Sequence, residues 1–423
     1  MAIVDTAQTA AGTGSSVVVE RCQICNHAPL QQILFLGYLP PVNQMRTIGE
    51  LPKEQPAYPA LWLVCPQCTL VQLGLIVDKE VLFPPEYPYT SGTTKILREN
   101  FMDLYSESQT IVPMRPEDLA VDIGSNDGTL LSYFQRGGHR VFGIEPSQVG
   151  NLANQRGIPT TIAFFDRVTA EATHRQHGPA KVITATNVFA HIEHVHEIIE
   201  SILLLLDETG VFISESHYLL SLVETLQYDT IYHEHLRYYS VRSLQYLLKM
   251  HGLEVIHARR IPTHGGSVRV YAARKGLYSV QPSVAQILKD EDRTGLDAAG
   301  LQGFKARVVQ SKLDLYVLLR DIKKQGHRIY GIGAPSRAST LINYVCLDDG
   351  ILDCVLEIKG SLKIGKYMPG TLIPVLEESH LYDDRPEYVL LLSWHIADEL
   401  IPKLKEKGYK GKYIIPLPAP RIV

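Results

Sequence analysis

No apolar run in this sequence is long enough to cross a bilayer. The richest, "SILLLLDETGVFIS", is broken by Asp207 and Glu208, so no membrane-spanning helix is expected. There is no basic run and no aromatic-rich basic stripe, and the net charge is -4. Nucleic acid is therefore not an expected partner. The start, "MAIVDTAQTAAGTGSSVV", lacks a basic segment and a continuous apolar core. It reads as a disordered leader, not a secretory signal. No repeat of fixed period is visible. These absences leave a cytoplasmic globular protein, consistent with 45% hydrophobic and 20% charged residues. At 423 residues it is too long for one ordinary core.

Cysteines are scarce, and four of the six fall in two Cys-x2-Cys pairs: Cys22 with Cys25, and Cys65 with Cys68. In a reducing compartment such pairs point to metal rather than disulfides. Two knuckles place four thiolates around one tetrahedral Zn²⁺. With all four positions filled, this zinc is structural. The surrounding segment is rich in proline and turn residues ("GYLPPVNQ", "LPKEQPAYPA", "FPPEYPY") and needs such a staple.

From Leu119 the texture changes. "LAVDIG", "RVFGIEP", "AKVITATNVF" and "GVFISES" are short apolar strands, with helical stretches such as "VHEIIESILLLL" between them. Alternating strand and helix predicts a doubly wound, mainly parallel sheet. "LEVIHARRI" and "GSVRVYAARK" read as a closing antiparallel pair. Residues 276 to 300 are polar and weakly periodic, and read as a connection. A helix from about Leu301 to Lys324 follows. "RIYGIGAPSRASTLINY", "YVLLLSW" and "KYIIPLP" then begin and extend a second α/β unit.

"LAVDIGSNDGTLL" is strand, glycine turn, helix. Gly124 permits the turn and Gly128 permits close backbone approach to a ligand. The spacing is not Gly-x-Gly-x-x-Gly, which argues against a pyrophosphate cradle. S-adenosylmethionine has no phosphate and suits the loop formed by Asp122, Gly124, Asn126, Asp127 and Gly128. Asp122 and Asp127 are candidates for its amino or sulfonium end. Glu145 closes the second strand where a ribose-binding acid is expected. Asp166 follows the third strand, as a candidate for the adenine amine. Asn187 and His191 follow the fourth strand, on the rim where open α/β sheets bind ligands.

"YHEHLRYYS" (232–240) sets His233 and His235 around Glu234. The residues alone allow a metal pair, an acid/base device or a structural turn. If the stretch is extended, its side chains alternate between two faces, and His233 is the weaker candidate beside His235. "HGGS" (264–267) lets backbone approach a substrate beside His264, or simply turns. In the second α/β unit, Gly331 and Gly333 leave a strand, and Ser336 and Ser339 open a helix fit for phosphate.

Taken in order, the two cysteine pairs, "VDIGSNDGTLL", "GIEPS", "NVFAHIEHVH", "YDTIYHEHLRYYS", "HGGSVRVYAA" and "GIGAPSRASTLINY" resemble the three-domain sugar C-methyltransferases. These act on nucleotide-linked 4-keto-6-deoxy sugars. The resemblance runs from about Cys22 to the C-terminus. It implies a zinc-binding N-terminal domain (1–88, with the leader), a central class I Rossmann-like S-adenosylmethionine domain (89–275), and a C-terminal Rossmann-like α/β domain (276–423) for the sugar nucleotide. It implies C-methylation at C-3, with His235 as base, Glu234 its neighbour, and Tyr89 a second active-site group. Histidine titrates in the right range for such a base, and a carboxylate can orient its ring. Tyr89, Tyr232 or His191 would stabilise the enolate. Tyr232, His264, Gly333, Ser336, Arg337 and Asn343 would contact the substrate. Family members often carry lysine where this chain has Arg337, and a planar fork is not a point charge. Two other readings stand beside this one. An oxidoreductase would bind NAD at the second glycine loop, with Glu357 as the ribose acid. A non-catalytic zinc-dependent binding protein would use the fold as a platform. A monomer is expected, since three domains can enclose the site.

Overall fold

The computed structural model describes residues 16–51, 54–82 and 95–423. Its centre is a seven-stranded sheet ordered Leu253–Ile261, Ser267–Arg274, Leu206–His217, Ala180–Thr186, Leu119–Ile123, Arg140–Glu145 and Thr160–Ile162. Ser267–Arg274 runs antiparallel to both of its neighbours, and the others pair in parallel. All five residues of Leu119–Ile123 are buried, because helices cover both faces and leave no polar side. The strand order reverses between Leu119–Ile123 and Ala180–Thr186, so the crevice opens beyond their C-terminal ends.

The expected connection after this sheet is instead a helix, Pro282–Thr294, packed on the strand Leu253–Ile261. Pro282 stands at its start, where a missing N–H costs nothing. Its buried residues are Val284, Ile287 and Glu291, too few apolar positions to show as a period. Glu291 accepts from the Tyr218 hydroxyl at 2.7 Å and from the Val241 N–H at 2.6 Å. The helix is thereby fastened to the central sheet.

The N-terminal sheet is antiparallel, ordered Arg237–Tyr238, Val71–Leu73, Tyr58–Val64 and Gln31–Leu39. Its edge strand is thus lent by the stretch that holds the paired histidines. Trp62, fully buried, meets the Tyr238 ring at 4.8 Å and Phe304 at 5.5 Å. Phe304 lies on the helix Ala298–Lys324, close to the span read from sequence. The Arg307 guanidinium on that helix donates to the Val223 carbonyl at 2.6 Å. One long helix therefore touches the N-terminal sheet and the central unit before entering the third.

The C-terminal sheet is ordered Val375–Glu377, Cys354–Glu357, Ile329–Ile332, Tyr388–Leu391, Lys412–Ile415 and Arg421–Ile422, with only the last antiparallel. Its helix Ser336–Val345 packs against the short turn Tyr228–Thr230 of the central unit. Among the described residues no helix is long and apolar enough to cross a membrane.

Candidate active site

The four cysteines come together as their spacing predicts. Asn26 and Thr69 take left-handed backbone (φ 59° each), each one residue past a Cys-x2-Cys pair. Their N–H groups return to Cys22 and Cys65 carbonyls at 2.9 and 3.0 Å, forming two matching knuckles. Cys22 and Cys68 Sγ lie 3.4 Å apart, as do those of Cys25 and Cys65. All four lie within 4.8 Å of one another. Tetrahedral thiolates about 2.3 Å from zinc stand roughly 3.8 Å apart, so the set fits one Zn²⁺. Among the described residues no other His, Cys, Asp and Glu cluster meets that test. The pair His233 and His235 is therefore not part of a second metal group there.

At the crevice, Gly124 (φ 72°) turns the chain against Val188, whose Cγ2 a Cβ would meet at 2.4 Å. Asn126 (φ 50°) donates its N–H to Glu145 Oε2 at 2.9 Å, and Ser147 N–H reaches Oε1 at 2.9 Å. Asn187, also left-handed, donates its N–H to the Glu215 carbonyl at 2.8 Å. Gly124, Asn126, Glu145 and Asn187 thus share one rim. Ser125 Oγ in the same loop is buried without a partner among the described residues and lies against Gly143 of the next strand. These residues fit S-adenosylmethionine.

The three aspartates are placed differently. Asp122 is buried inside its strand and accepts from Thr184 Oγ1 at 2.6 Å. Burial foremost, with Glu145 and Glu215 adding to it, pushes its carboxyl up to about 7. Asp127 accepts from Thr129 N and Oγ1 and from Arg156 at 2.9 Å, holding the start of the helix Thr129–Arg136, whose N-cap is Gly128 (φ 76°). Asp166 is exposed and caps the helix Arg167–His177 through Thr169 N at 2.7 Å.

Beyond the end of Leu206–His217 lies a nest of imidazoles. His235 sits in a turn, not an extended segment. Its Nδ1 is 2.8 Å from the Thr230 carbonyl. A carbonyl only accepts, so Nδ1 carries the proton and Nε2 keeps its lone pair. The ring lies 4.1 Å from Tyr232, 4.3 Å from His217 and 5.0 Å from His191, between centroids. Burial foremost lowers His235 well below the usual imidazole range, with His217 and His191 adding to it. Burial likewise takes His217 to about 3 and His191 to about 4. His233 turns to the N-terminal domain, 5.8 Å from Tyr58 and 3.3 Å from the Pro59 carbonyl. Glu234 turns that way too and accepts from Asn43 Nδ2 at 2.7 Å. Tyr89 lies outside the described residues.

His217 stands in none of the motifs that the sequence singles out. It ends the fifth strand of the sheet, on the same rim that marked Asn187 and His191, and that signal would have found it.

The C-terminal unit closes this nest. Arg337, 6% exposed, forks Asp229 through Nε and Nη2, both at 2.8 Å, and stacks 4.9 Å from Trp394. Two arms of the guanidinium are therefore committed to protein. His264, left-handed at φ 55°, has Nε2 buried without a partner among the described residues; burial first, then Arg337, lowers it to about 4. Gly333 (φ 81°) lies against Ser393, and Ser336 opens the helix. Asn343 Nδ2 donates to Ser339 and Pro369 carbonyls at 2.8 and 3.1 Å. Lys363, unforeseen, reaches the Ala334 carbonyl in the glycine turn at 2.6 Å.

Residues 22–83 match the family description of a zinc binding domain, 113–258 a methyltransferase domain, and 262–418 a C-methyltransferase C-terminal domain. The C-methyltransferase NovU of Streptomyces niveus is 30% identical over 409 residues, covering 96% of this chain and 97% of that protein. This chain belongs to the C-methyltransferase family. Solved structures are more distant. An Anabaena variabilis S-adenosylmethionine-dependent methyltransferase is 16% identical, with TM-score 0.34, covering 43% of this chain and 86% of its own. Magnesium protoporphyrin IX methyltransferase of Synechocystis is 13% identical, with TM-score 0.32, covering 42% and 79%. Likeness at that level decides nothing, and the assignment rests on the sequence matches. The C-methyltransferase uses S-adenosylmethionine and carries one structural zinc. The strand Ser267–Arg274 and the helix Pro282–Thr294 lie within its C-terminal family match, yet both pack with the central sheet.

Proposed function

We propose that this C-methyltransferase methylates C-3 of a nucleotide-diphosphate-linked 4-keto-6-deoxy sugar, in branched deoxysugar biosynthesis. The observation that carries the reading is His235, with Nδ1 fixed on the Thr230 carbonyl and Nε2 left with its lone pair. A C–H beside a ketone is a weak acid, and removing its proton needs a positioned base. His235 Nε2 takes the C-3 proton, and the C–H electron pair moves toward the ketone oxygen. The pair then returns from the enolate to form the new carbon–carbon bond. Bound S-adenosylmethionine would supply the electrophilic methyl group, its sulfur keeping the electron pair of the broken sulfur–methyl bond and departing as a neutral thioether.

Gly124, Gly128, Asn126, Glu145 and Asn187 would hold that cofactor, with Asp166 at the adenine end. Asp122 ties its strand to Thr184 of the next one, and Asp127 holds the helix start behind the loop. His191, Tyr232 and Tyr89 are the candidates for donating to the enolate oxygen. Glu234 anchors the turn on Asn43. Gly333, Ser336, His264, Arg337 and Asn343 line the approach for the sugar nucleotide. The enzyme is read as a cytoplasmic monomer.

The experiment is a methyl-transfer assay on a panel of nucleotide-linked 4-keto sugars, followed by exchange of the C-3 proton into D₂O. We expect transfer to at least one such sugar, and His235→Asn to abolish both exchange and transfer. Full exchange in that variant, or no transfer to any 4-keto sugar, would sink the proposal.

A further inference from the structure

We infer that Arg337 and Asp229 are a positioning pair, reaching across two domains to hold His235 in the tautomer that can accept a proton. The inference rests on His235 being the base.

One short turn carries both ends of the connection. Tyr228–Thr230 presents the Asp229 side chain to the C-terminal domain and the Thr230 carbonyl to His235. Asp229 is fully buried. Its Oδ1 accepts from Arg337 Nη2 at 2.8 Å. Its Oδ2 accepts from Arg337 Nε and from the Trp394 indole N–H, both at 2.8 Å. Arg337 Nη2 also reaches Gln227 Oε1, at 3.1 Å, just before the turn. Three donors from the C-terminal domain therefore fix this carboxylate in one plane. On the far side Tyr344 meets Tyr228 edge-on at 5.3 Å, and Thr340 Oγ1 donates to the Ile231 carbonyl at 3.4 Å.

A bidentate buried pair is poor evidence for stability, since two charges lose their water to form it. What such a pair does supply is direction: planar guanidinium on planar carboxylate admits one orientation. The orientation is passed one peptide along, to the carbonyl that receives His235 Nδ1–H. A free imidazole carries its proton more often on Nε2. In this site that tautomer would leave His235 without its base. It would also set the Nδ1 lone pair against the Thr230 oxygen. Holding the carbonyl in place is therefore part of making the base.

The test uses the full zinc-loaded chain with ¹⁵N-labelled histidine, recording two-bond ¹H–¹⁵N correlations. His235 is assigned from its missing signals in His235→Asn. We expect a protonated Nδ1 and bare Nε2 in the native protein. In Arg337→Met and Asp229→Asn we expect His235 to shift toward the Nε2–H form. In the same variants kcat should fall by about a hundredfold, with KM for S-adenosylmethionine unchanged. Arg337→Lys should recover part of the loss. Trp394→Phe removes a single donor and keeps the ion pair, so it serves if the charge variants do not fold. It should show a smaller shift in the same direction. Native His235 protonated on Nε2 would overturn the inference. So would variants whose kcat falls while His235 keeps its native signals. An active His235→Asn would instead remove the base reading beneath it, an outcome that the tautomer measurement keeps distinct.

Discussion

The histidines of the nest are uncharged because they are shut away from water, and this makes them sensitive to acid in a defined direction. His217 falls to about 3, first through burial and then through His191, His264 and Arg337. Its folded value lies below its unfolded value near 6.5. Between those two pH values the unfolded chain binds a proton that the folded chain refuses. Stability is therefore full above pH 6.5 and declines as pH falls below it. The expected loss from His217 is on the order of 1–3 kcal/mol by pH 4.5. Urea unfolding at pH 7.5 and pH 4.5 measures it, and His217→Gln should flatten the difference. The lowered value of His235 also predicts catalysis persisting below pH 6.5. A rate that halves at pH 6.5 or above would contradict a base held neutral by burial. At this scale His235 stands in a recognisable string of residues, whereas His217 is marked only by its place at the end of a strand.

Between residue and molecule stands the two-residue strand Arg237–Tyr238. Arg237 is fully buried, and its Nη1 and Nη2 donate to the Ile192 and Glu193 carbonyls at 2.5 Å each. Those carbonyls belong to the turn before the helix Val195–Leu205. The strand itself pairs with Val71–Leu73. Replacing Arg237 by methionine keeps much of the volume but strips two buried acceptors of their donors. We expect a loss of about 2–4 kcal/mol, read as a lower denaturant midpoint with an unchanged slope. A change under 0.5 kcal/mol would show that the carbonyls find water. The buried parallel strands were readable because burial on both faces makes them continuous apolar runs. The edge strand was not, since its partner lies far away in sequence and two residues make no period. The helix Pro282–Thr294 escaped for the related reason that its buried face includes a glutamate.

For the molecule as a whole, the zinc-binding cysteines and the turn that carries His235 are mechanically joined. Cys65 and Cys68 bracket the knuckle that leads into Val71–Leu73, which carries the strand beside His235. Removing the metal should loosen the knuckle, then the sheet edge, then the turn that carries His235. We expect a strong chelator, or Cys65→Ser, to lower Tm by more than about 5 °C and to reduce methyl transfer in proportion to zinc lost. Full activity in metal-free protein would break the connection. The three-unit architecture could be read from the order of its motifs. How the units hold one another could not, because contacts such as Arg337 with Asp229 and Asn43 with Glu234 join residues whose spacing carries no signal.

The borrowed edge strand also bears on how the chain is made. Ribosomes deliver the N-terminus first, so the zinc-bearing sheet emerges with Val71–Leu73 paired on one side only, to Tyr58–Val64, and its outer edge stays open until the turn that carries His235 has been translated. An exposed edge of that kind invites pairing with neighbouring nascent chains. Early capture of zinc would protect the fragment during that wait, and metal-starved cells should accumulate aggregates rather than inactive monomers.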